Sequence, residues 1–269
     1  MMSISVIIPS YKPEEYLYKC LDSILSQTLD ISEYEVIIVL NGCKEPYFSN
    51  ISAFIKNSNR NIKLIHTDLA NVSHARNVGL SVACGEYISF LDDDDWVSKN
   101  YLSELAKIAA PNILACSNVI LVDDISCNQL PYFLTNAYRR CSAYKKYTLF
   151  NSRQFLSTVW GKLIPRKLVG DNRFDTSHAL GEDSLFMFQL SSGIKMIKFT
   201  FPDTIYYTRC RNGSASRRKL AYPYRIKVAI RLTGKYISTY MTHPCKYDFF
   251  LFATRVAATL RKLFKRRYE

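Results

Sequence analysis

Short, continuous apolar runs alternate with helix-like segments in the part of the chain that ends at Trp96. Four runs have the length and composition of buried strands, at residues 3–8, 35–40, 62–66 and 87–91. The segments between them predict helices at residues 14–28, 47–56 and 73–84, the last with Ser73 as its N-cap. Buried strands separated by helices are typical of parallel β-α-β units. The pattern therefore predicts an α/β fold with a mostly parallel sheet flanked by helices.

The pattern is weaker after Trp96. Residues 99–109 indicate a helix, and the apolar run at residues 112–122 indicates one long strand. Residues 128–150 are rich in Tyr and basic residues and show little periodicity, so they predict an irregular, mobile loop. A further helix is predicted from Glu182 onward.

Positive charge is concentrated near the end of the sequence. The chain has 36 Lys and Arg against 23 Asp and Glu, a formal net charge of +13. Residues 205–269 hold 16 of the basic and 2 of the acidic residues, a net of +14, and the rest hold 20 and 21, a net of −1. Such asymmetry predicts an appendage that meets an anionic surface, either membrane lipid or nucleic acid. We place this appendage at residues 220–269, after a domain of residues 1–219.

The appendage ends in a segment with the pattern of a basic amphipathic helix. At about 100° per residue, its apolar residues fall on one face: Phe249, Phe252, Ala253, Val256, Leu260, Leu263 and Phe264. Its basic residues fall on the opposite face: Arg255, Arg261, Lys262, Lys265 and Arg266. Such a helix suits the cytoplasmic surface of an anionic membrane. The alternative is a terminal helix that packs on the protein's own core and leaves its basic face in solvent.

Other features of the sequence indicate a cytoplasmic chain. No run reaches the roughly 18 apolar residues that a membrane-spanning helix needs. The first residues lack the basic region and the longer apolar run of a signal peptide. The eight cysteines are scattered without a C-x-x-C pair, as expected of reduced thiols. With the basic tail, this predicts a cytoplasmic protein that is peripheral on the inner face of the cell membrane.

Four consecutive aspartates, Asp92 to Asp95, follow the fourth predicted strand. Open α/β sheets bind their ligands at the carboxyl ends of parallel strands. Adjacent carboxylates repel one another unless a cation lies among them, and carboxylate oxygens suit Mg²⁺ or Mn²⁺. No glycine-rich phosphate loop of the Rossmann or P-loop type occurs. The run therefore predicts a divalent-cation site, with the alternative that Asp94 or Asp95 caps the following helix.

Several segments, in this order, resemble family-2 glycosyltransferases of the GT-A (Rossmann-like) fold. The resemblance is carried by SVIIPSYKPEEYLYKCLDSILSQT, EVIIVLNG, VSHARNVGLSVACGEYISFLDDDDW and GED. It is close over residues 4–101 and thinner through VWGKLIPRKLV, LGEDSLF and YYTRCRNGSASR. The family implies an inverting transfer of a sugar from a nucleotide diphosphate sugar, usually a UDP-sugar, with Mn²⁺ or Mg²⁺ as cofactor.

The resemblance also implies roles for individual side chains. Asp183 corresponds to the catalytic base, and Asp94 corresponds to the metal ligand of the D-x-D motif, in which Asp93 is the spacer. Trp160 and Glu182 correspond to the acceptor side. The nucleotide-sugar site falls on Pro9, Tyr11, Asn41, Asp68, Arg76, Asp92, Asp93, Arg209 and Arg211. Two alternatives stay open: Asp183 as a helix cap, and the two late arginines as part of a solvated face.

Two positions depart from the family pattern. The turn after the second strand reads LNGC, so Leu40 and Asn41 stand where an aspartate is usual. An amide offers a different set of donors and acceptors to a base, which weakens the expectation of uridine. The first loop reads YKP where YN is usual, which leaves Lys12 without a role.

Residues and resemblance together predict a metal-dependent glycosyltransferase. It would transfer a sugar to a lipid-linked saccharide acceptor in the synthesis of a surface polysaccharide, such as O-antigen or capsule. The alternative enzyme is a nucleotidyltransferase that makes a nucleotide sugar, although the glycine-rich basic loop of such enzymes is missing. The alternative without catalysis is a basic nucleic-acid-binding protein. The acidic site argues against it, and nucleic acid is not an expected partner.

Overall fold

A computed structural model describes residues 3–58, 61–142, 148–177, 180–211 and 221–264 of the chain. Its strands are β1 (Ile4–Ser10), β2 (Tyr34–Asn41), β3 (Ile62–Thr67), β4 (Tyr87–Phe90), β5 (Trp96–Val97), β6 (Ile113–Cys116), β7 (Asn118–Asp123), β8 (Gln129–Leu130), β9 (Lys162–Pro165), β10 (Met196–Phe199) and β11 (Ile205–Cys210). Its helices are α1 (Tyr16–Leu25), α2 (Tyr47–Ser58), α3 (Val72–Val82), α4 (Tyr101–Ile108), α5 (Phe133–Ser142), α6 (Arg166–Val169), α7 (Glu182–Ser191), α8 (Tyr222–Thr242) and α9 (Phe249–Phe264). The predicted alternation of strands and helices up to β4 is confirmed.

Two sheets organise the described residues. The larger has the strand order β10-β6-β9-β4-β1-β2-β3, and its pairings are parallel except for those of β9. The smaller has the order β5-β11-β7-β8. In the larger sheet, Ile7 of β1 lies opposite both Ile37 of β2 and Phe90 of β4. The predicted fold class, an α/β fold with a mostly parallel sheet flanked by helices, is confirmed.

The strands β1 and β2 are buried along their whole length, as their continuous apolar sequences require. Helix α3 packs on both strands, and Gly79 allows this approach because a Cβ there would lie 2.4 Å from Ile7 Cγ2. The predicted cap of α3 is wrong. Asn71 Oδ1 accepts the His74 N–H at 2.9 Å, and Ser73 lies inside the helix. The N-terminal end of α3 is thus fixed one turn before Arg76.

The predicted strand at residues 112–122 is two strands in the structure. The chain leaves one sheet for the other at Ser117, whose N–H and Oγ both donate to the Gly161 carbonyl oxygen, at 3.0 and 3.2 Å. β6 then pairs in the larger sheet and β7 in the smaller. Both strands are largely buried, so hydropathy alone does not mark the break between them.

Residues 128–150, predicted to be irregular, contain β8 and α5. Helix α5 buries four residues at i, i+3, i+4 and i+7: Leu134, Ala137, Tyr138 and Cys141. Polar and basic residues surround this narrow stripe, and one of its members is a tyrosine and another a cysteine. The helical period is therefore present but faint, and the prediction of an irregular loop is wrong for α5.

The C-terminal helices pack on the rest of the protein. Leu251, Arg255 and Thr259 of α9 are buried, and Arg255 Nη2 donates to the Arg153 carbonyl oxygen. The prediction that Arg255 lies on a solvated basic face is therefore wrong. The predicted boundary between residues 219 and 220 lies outside the described residues, as do residues 265–269, so the division into two domains stays a prediction. Among the described helices, none has the length and apolarity needed to cross a bilayer.

Gly85 precedes β4, where the chain passes close to β1. A Cβ at Gly85 would lie 2.5 Å from Ser5 N and 2.8 Å from Ile4 C. Because these neighbours are backbone atoms, we expect Gly85→Ala to lower the free energy of unfolding by about 1–3 kcal/mol. Gly234→Ala in α8 is the matched control, since a Cβ there meets nothing within 4 Å. It should be neutral or stabilise by up to about 1 kcal/mol. Denaturant unfolding measures both, and equal midpoints would contradict the crowding at Gly85.

Candidate active site

Neighbouring strands of the larger sheet end in polar residues that contact one another. Asn41, at the end of β2, is buried and donates from Nδ2 to the Ser10 carbonyl oxygen at 2.7 Å. Ser10, at the end of β1, donates from Oγ to Asp93 Oδ2 at 2.6 Å. The parallel pairing of β1 with β2 and β4 brings these ends to one edge of the sheet. The structure thus joins Asn41 to the aspartate run through Ser10, and the amide faces protein backbone.

The guanidinium of Arg76 lies among three carboxylates. Arg76 belongs to α3, and its side chain is 4% exposed. Its Nη2 donates to Asp92 Oδ1 at 2.9 Å, and its Nη1 donates to Asp183 Oδ1 at 2.7 Å. Glu182 Oε1 lies 3.6 Å from the same Nη1. One buried cation therefore joins the first acid of the run to the predicted base and to its neighbour.

Asp183 lies in the first turn of α7. Gly181 precedes the helix with a φ of +82°, a left-handed conformation that favours glycine. Burial raises the pKa of Asp183 to about 7, against the opposing effect of the Arg76 guanidinium. No side chain caps the start of α7, so the alternative role of Asp183 as a helix cap finds no support. A carboxylate with a pKa near neutrality can accept a proton from a hydroxyl group.

The second half of the aspartate run is tied to β11 and to the residue that follows it. Buried Asp95 accepts from Tyr206 OH at 2.7 Å and from the Arg209 N–H at 2.8 Å. Asp94 Oδ2 accepts from Arg211 Nε at 2.9 Å, and the Asp94 carbonyl oxygen accepts from Arg209 Nε at 2.8 Å. The alternative that Asp94 or Asp95 caps the next helix is wrong, because the strand β5 separates them from α4. Both arginines face the run rather than forming a solvated face.

The run carries more negative charge than its neighbours neutralise. Burial raises the pKa of Asp93 to about 7, and repulsion by Asp94 adds to the rise. Burial and the other aspartates also raise the pKa of Asp94 and of Asp95. Within the described ranges, no three His, Cys, Asp or Glu side chains are placed to hold a metal ion together. The residues instead fit a divalent ion held by one carboxylate and completed by substrate phosphates and water. The side chains of Asp92 and Asp94 are both partly exposed, at 29% and 20%, and the assignment of the ion to Asp94 stays a prediction.

The predicted nucleoside side of the site is open. Tyr11 follows β1 and is 50% exposed, and Asp68 follows β3 with its side chain fully exposed. Gly42 follows the strand between them with a φ of +88°, and a Cβ there would lie 2.8 Å from Tyr11 Cε2. Lys12, also at positive φ, holds its Nζ 5.6 Å from the centroid of the Tyr11 ring. These loops form an open ledge, on which the contacts of Tyr11 and Asp68 with a nucleoside stay a prediction.

Two predicted site residues are covered by the protein itself. Pro9 is buried within β1, opposite Val39 of β2. Trp160 is 8% exposed, and its ring stacks on that of Tyr206 with 4.8 Å between centroids. Little of either side chain is exposed to solvent, so only the exposed edge of each ring could contact a nucleotide or an acceptor. Their predicted roles stay predictions.

Sequence reasoning missed two side chains that support the site from inside the protein. Tyr206 OH accepts the Asp92 N–H at 3.2 Å while it donates to Asp95. Lys162 is fully buried, its Nζ donates to the Phe155 and Thr158 carbonyl oxygens, and burial lowers its pKa to about 8. Neither residue is distinctive in the sequence. Tyr206 is one of two adjacent tyrosines, and Lys162 is one of 36 basic residues.

Tyr206→Phe removes the hydroxyl that joins the two ends of the aspartate run. Because Asp95 then loses a donor while it stays buried, we expect the free energy of unfolding to fall by about 1–3 kcal/mol. Tyr207→Phe is the matched control on the same strand, since the Tyr207 ring stacks on Trp96 and its half-buried hydroxyl makes no hydrogen bond with the described residues. The control should stay within about 0.5 kcal/mol of the wild type. Equal losses in thermal or denaturant unfolding would contradict the bridging role of Tyr206.

Residues 5–124 match the profile of glycosyl transferase family 2. The glycosyltransferase GlyA of Streptococcus pneumoniae is 30% identical over 227 residues, which are 80% of this chain and 31% of GlyA. The chain spans less than two thirds of the length of the curated relatives that it matches first.

Solved structures of two other proteins share the architecture. The crystal structure of S. aureus TarS in complex with UDP-GlcNAc superposes with a TM-score of 0.75 at 23% identity, over 98% of this chain and 73% of that one. The mannosyltransferase PcManGT of Pyrobaculum calidifontis, in complex with GDP-Man and Mn²⁺, superposes with a TM-score of 0.58 at 15% identity, over 99% and 76%. With this architecture, the match over residues 5–124 identifies a glycosyl transferase family 2 domain of the GT-A fold in this chain.

Proposed function

We propose that the chain is an inverting glycosyltransferase that moves a sugar from a UDP-sugar to a hydroxyl group of a lipid-linked saccharide. The observation that carries this proposal is the ion-paired cluster in which Arg76 holds Asp92 and Asp183. It sets an acid of the predicted donor site beside a carboxylate with a pKa near neutrality. A donor and a base must lie this close for one displacement to occur between them.

Asp183 is the general base of the proposed reaction. It takes the proton of an acceptor hydroxyl group while the hydroxyl oxygen attacks the anomeric carbon of the donor. The bond from that carbon to the diphosphate breaks, and the nucleoside diphosphate leaves on the opposite side. A single displacement inverts the anomeric configuration and needs no covalent enzyme intermediate. Glu182 favours the proton transfer because its own charge, beside Asp183, raises the proton affinity of that carboxylate.

We assign Arg209 and Arg211 to the leaving diphosphate. Arg211 pairs with Asp94, and Arg209 contacts the Asp94 carbonyl oxygen, so both guanidinium groups lie at the outer part of the aspartate run. Asp94 would hold Mg²⁺ or Mn²⁺, which when bound supplies positive charge to the diphosphate. The Mn²⁺ in the PcManGT complex supports a divalent ion in this fold.

The choice of UDP as the donor nucleotide rests on the open ledge and on one structurally similar protein. Tyr11 offers a ring face for a base, and Asp68 offers a carboxylate for a ribose or base edge. S. aureus TarS binds UDP-GlcNAc in its crystal structure. Asn41, which departs from the usual acid, donates to Ser10 rather than into the ledge. The departure therefore alters the support of the ledge more than its exposed surface.

The acceptor and the location are inferred from the C-terminal part. A net charge of +14 over residues 205–269 favours an anionic membrane, where lipid-linked saccharides are found. Nucleic acid is disfavoured as a partner, because the candidate site is acidic. We therefore place the protein on the inner face of the cell membrane, in the synthesis of a surface polysaccharide.

The pKa of Asp183 sets the pH dependence of the proposed reaction. A base works only when deprotonated, so transfer should be lost below a pH of about 7 and should rise to a plateau above it.

Two variants test this assignment. Asp183→Asn should lower transfer by at least about 100-fold and leave donor binding unchanged. Arg76→Lys keeps one positive charge but reaches fewer carboxylates, so it should move the rise to higher pH. The measurement is kcat/KM against pH with a chosen acceptor, together with donor affinity by calorimetry. Loss of donor binding in Asp183→Asn would assign that residue a structural role.

A thermal-shift panel of nucleotide sugars tests donor and metal together. UDP-sugars with Mn²⁺ should raise the melting temperature more than either component alone, since the ion and the diphosphate bind as a unit. The Asp94→Ala variant should stay folded but lose that extra rise in melting temperature. Asp171→Ala, at an exposed position, is the control and should keep the extra rise. Stabilisation by GDP-sugars alone would contradict the UDP assignment. Formation of a nucleotide sugar from a nucleoside triphosphate and a sugar phosphate would favour the nucleotidyltransferase instead.

A further inference from the structure

Helix α8 packs on the body of the protein through one side only. Leu232 is buried against the turn before α7, where a Cβ on Gly181 would lie 2.6 Å from Leu232 Cδ2. One turn further on, the Tyr236 hydroxyl lies 2.8 Å from Ser184 Oγ, and the Tyr236 ring is 5.3 Å from that of Phe188. These contacts fix the rotation of the helix about its axis. They determine which of its side chains point away from the body.

Large apolar side chains project from the outward sides of α8 and α9. On α8, three exposed aliphatic side chains recur at i, i+7 and i+11, a spacing that places them in a single stripe. On α9, others lie near the start of the helix and beyond its middle. We call this set the outer apolar face, with the exposed fraction of each residue: Ile230 67%, Ile237 45%, Met241 66%, Phe249 57%, Phe250 67% and Leu260 42%.

The two parts of the outer apolar face meet where α8 turns into α9. The ring of Tyr240, next to Met241, lies 6.2 Å from that of Phe249 and stacks on that of Phe252 at 4.4 Å. Phe249 and Phe250 are also in contact, with 6.0 Å between ring centroids. The end of α8, which carries Met241, therefore lies against the start of α9, which carries Phe249 and Phe250. Exposed apolar surface of this extent marks an interaction site rather than ordinary protein surface.

The outer apolar face differs from the face that the sequence predicts for α9. The sequence places Phe252 and Val256 with Phe249 and Leu260. In the structure Phe252 and Val256 pack against the core, beside buried Leu251 and Arg255. The pattern of one helix shows where its apolar residues are. Only the packing on the body shows which of them stay outside.

Exposed basic residues lie on the same helices as the outer apolar face. Lys227, Lys246 and Arg261 are exposed on the same two helices and the turn between them. Over residues 221–269 the chain has 11 Lys and Arg against 2 Asp and Glu, a net charge of +9. Apolar side chains accompanied by cations suit an anionic lipid surface. The apolar side chains enter between the lipid headgroups, and the basic side chains pair with the negative charges of the headgroups. A second copy of the chain is a poorer partner, because two such tails would repel each other.

We propose that the outer apolar face docks on the surface of an anionic bilayer. The proposal deepens the proposed function, since it rests on an acceptor that is held in a membrane. It assigns the contact to six side chains on α8 and α9, none of them on the buried side of α9. The Asp183 turn lies on the inner side of α8, so the docked helix would hold the base at a fixed distance from the lipid surface.

Vesicle flotation of the full chain tests the proposal. The double variant Ile230→Asp/Phe250→Asp places charges on the face. The double variant Ile125→Asp/Phe201→Asp is the matched control, since it makes the same chemical changes at side chains 85% and 72% exposed on the body. With vesicles of equal parts phosphatidylglycerol and phosphatidylcholine, the wild type and the control should float. The partition coefficient of the face variant should fall by at least about tenfold. The substitutions remove two apolar side chains that would insert, and they add two negative charges that the anionic lipids repel. None of the three should float with phosphatidylcholine alone.

Separate readouts distinguish failure of docking from failure of the proposed function. Thermal shift with UDP-GlcNAc and Mn²⁺ reports donor binding in the same preparations, and it should be equal in all three proteins. Flotation of the face variant at the wild-type level would overturn the proposal, as would equal binding to vesicles without anionic lipid. Light scattering tests the alternative of a second copy. If the wild type is a dimer, the face variant is a monomer and neither protein floats, the face is assigned to a contact between two copies instead. Flotation as expected without any donor binding would leave docking supported and the sugar transfer refuted.

Discussion

The buried guanidinium of Arg76 is the contact on which the candidate site depends. It is shared by Asp92, after β4, and by Glu182 and Asp183, at the start of α7. These segments are far apart in sequence, and a buried charge is tolerated only when it is paired. Three carboxylates around one cation still leave a surplus of negative charge. That surplus, with burial, is why the pKa of Asp183 rises although the residue is in an ion pair. The same arrangement that fixes the loops therefore also gives the base its affinity for a proton.

Each of the four aspartates has a different partner, which reduces but does not remove the repulsion among them. Asp92 pairs with the buried arginine, and Asp93 accepts from the serine at the end of β1. Asp94 pairs with Arg211, and Asp95 accepts from Tyr206 and from a backbone N–H of β11. The run thus ties α3, β1 and β11 to one loop. Asp94 is partly exposed and pairs with Arg211, one of the two arginines proposed to meet the diphosphate, and for that reason our proposal assigns the metal ion to it.

The sequence predicts the first half of the fold well, because the early strands are mostly apolar runs bounded by turn residues. It predicts the later half less well for two physical reasons. The apolar run around Ser117 gives no sign of the point where the chain changes sheets, since both halves are buried. The stripe of α5 is narrow and includes Tyr138 and Cys141, so its period is faint. For the site, Asp183 and the aspartate run are visible as motifs, and the structure places them together through Arg76. Tyr206 and Lys162 are not visible, because Tyr206 acts through buried hydrogen bonds to the run and Lys162 through its burial near Asp183, and neither depends on a local pattern.

The tail shows why amphipathicity alone does not assign a surface. The arginine at position 255 looks like part of a solvated basic face, yet its stem and guanidinium reach into the body and meet a carbonyl oxygen. Leu232 packs against Gly181, which precedes α7, so a residue of the tail helps to shape the turn before Asp183. Removing the tail would therefore disturb the base as well as any lipid contact. A loss of activity on truncation could not distinguish the two effects. Because the inner and outer sides of α8 hold different residues, single substitutions on the outer side can separate docking from catalysis.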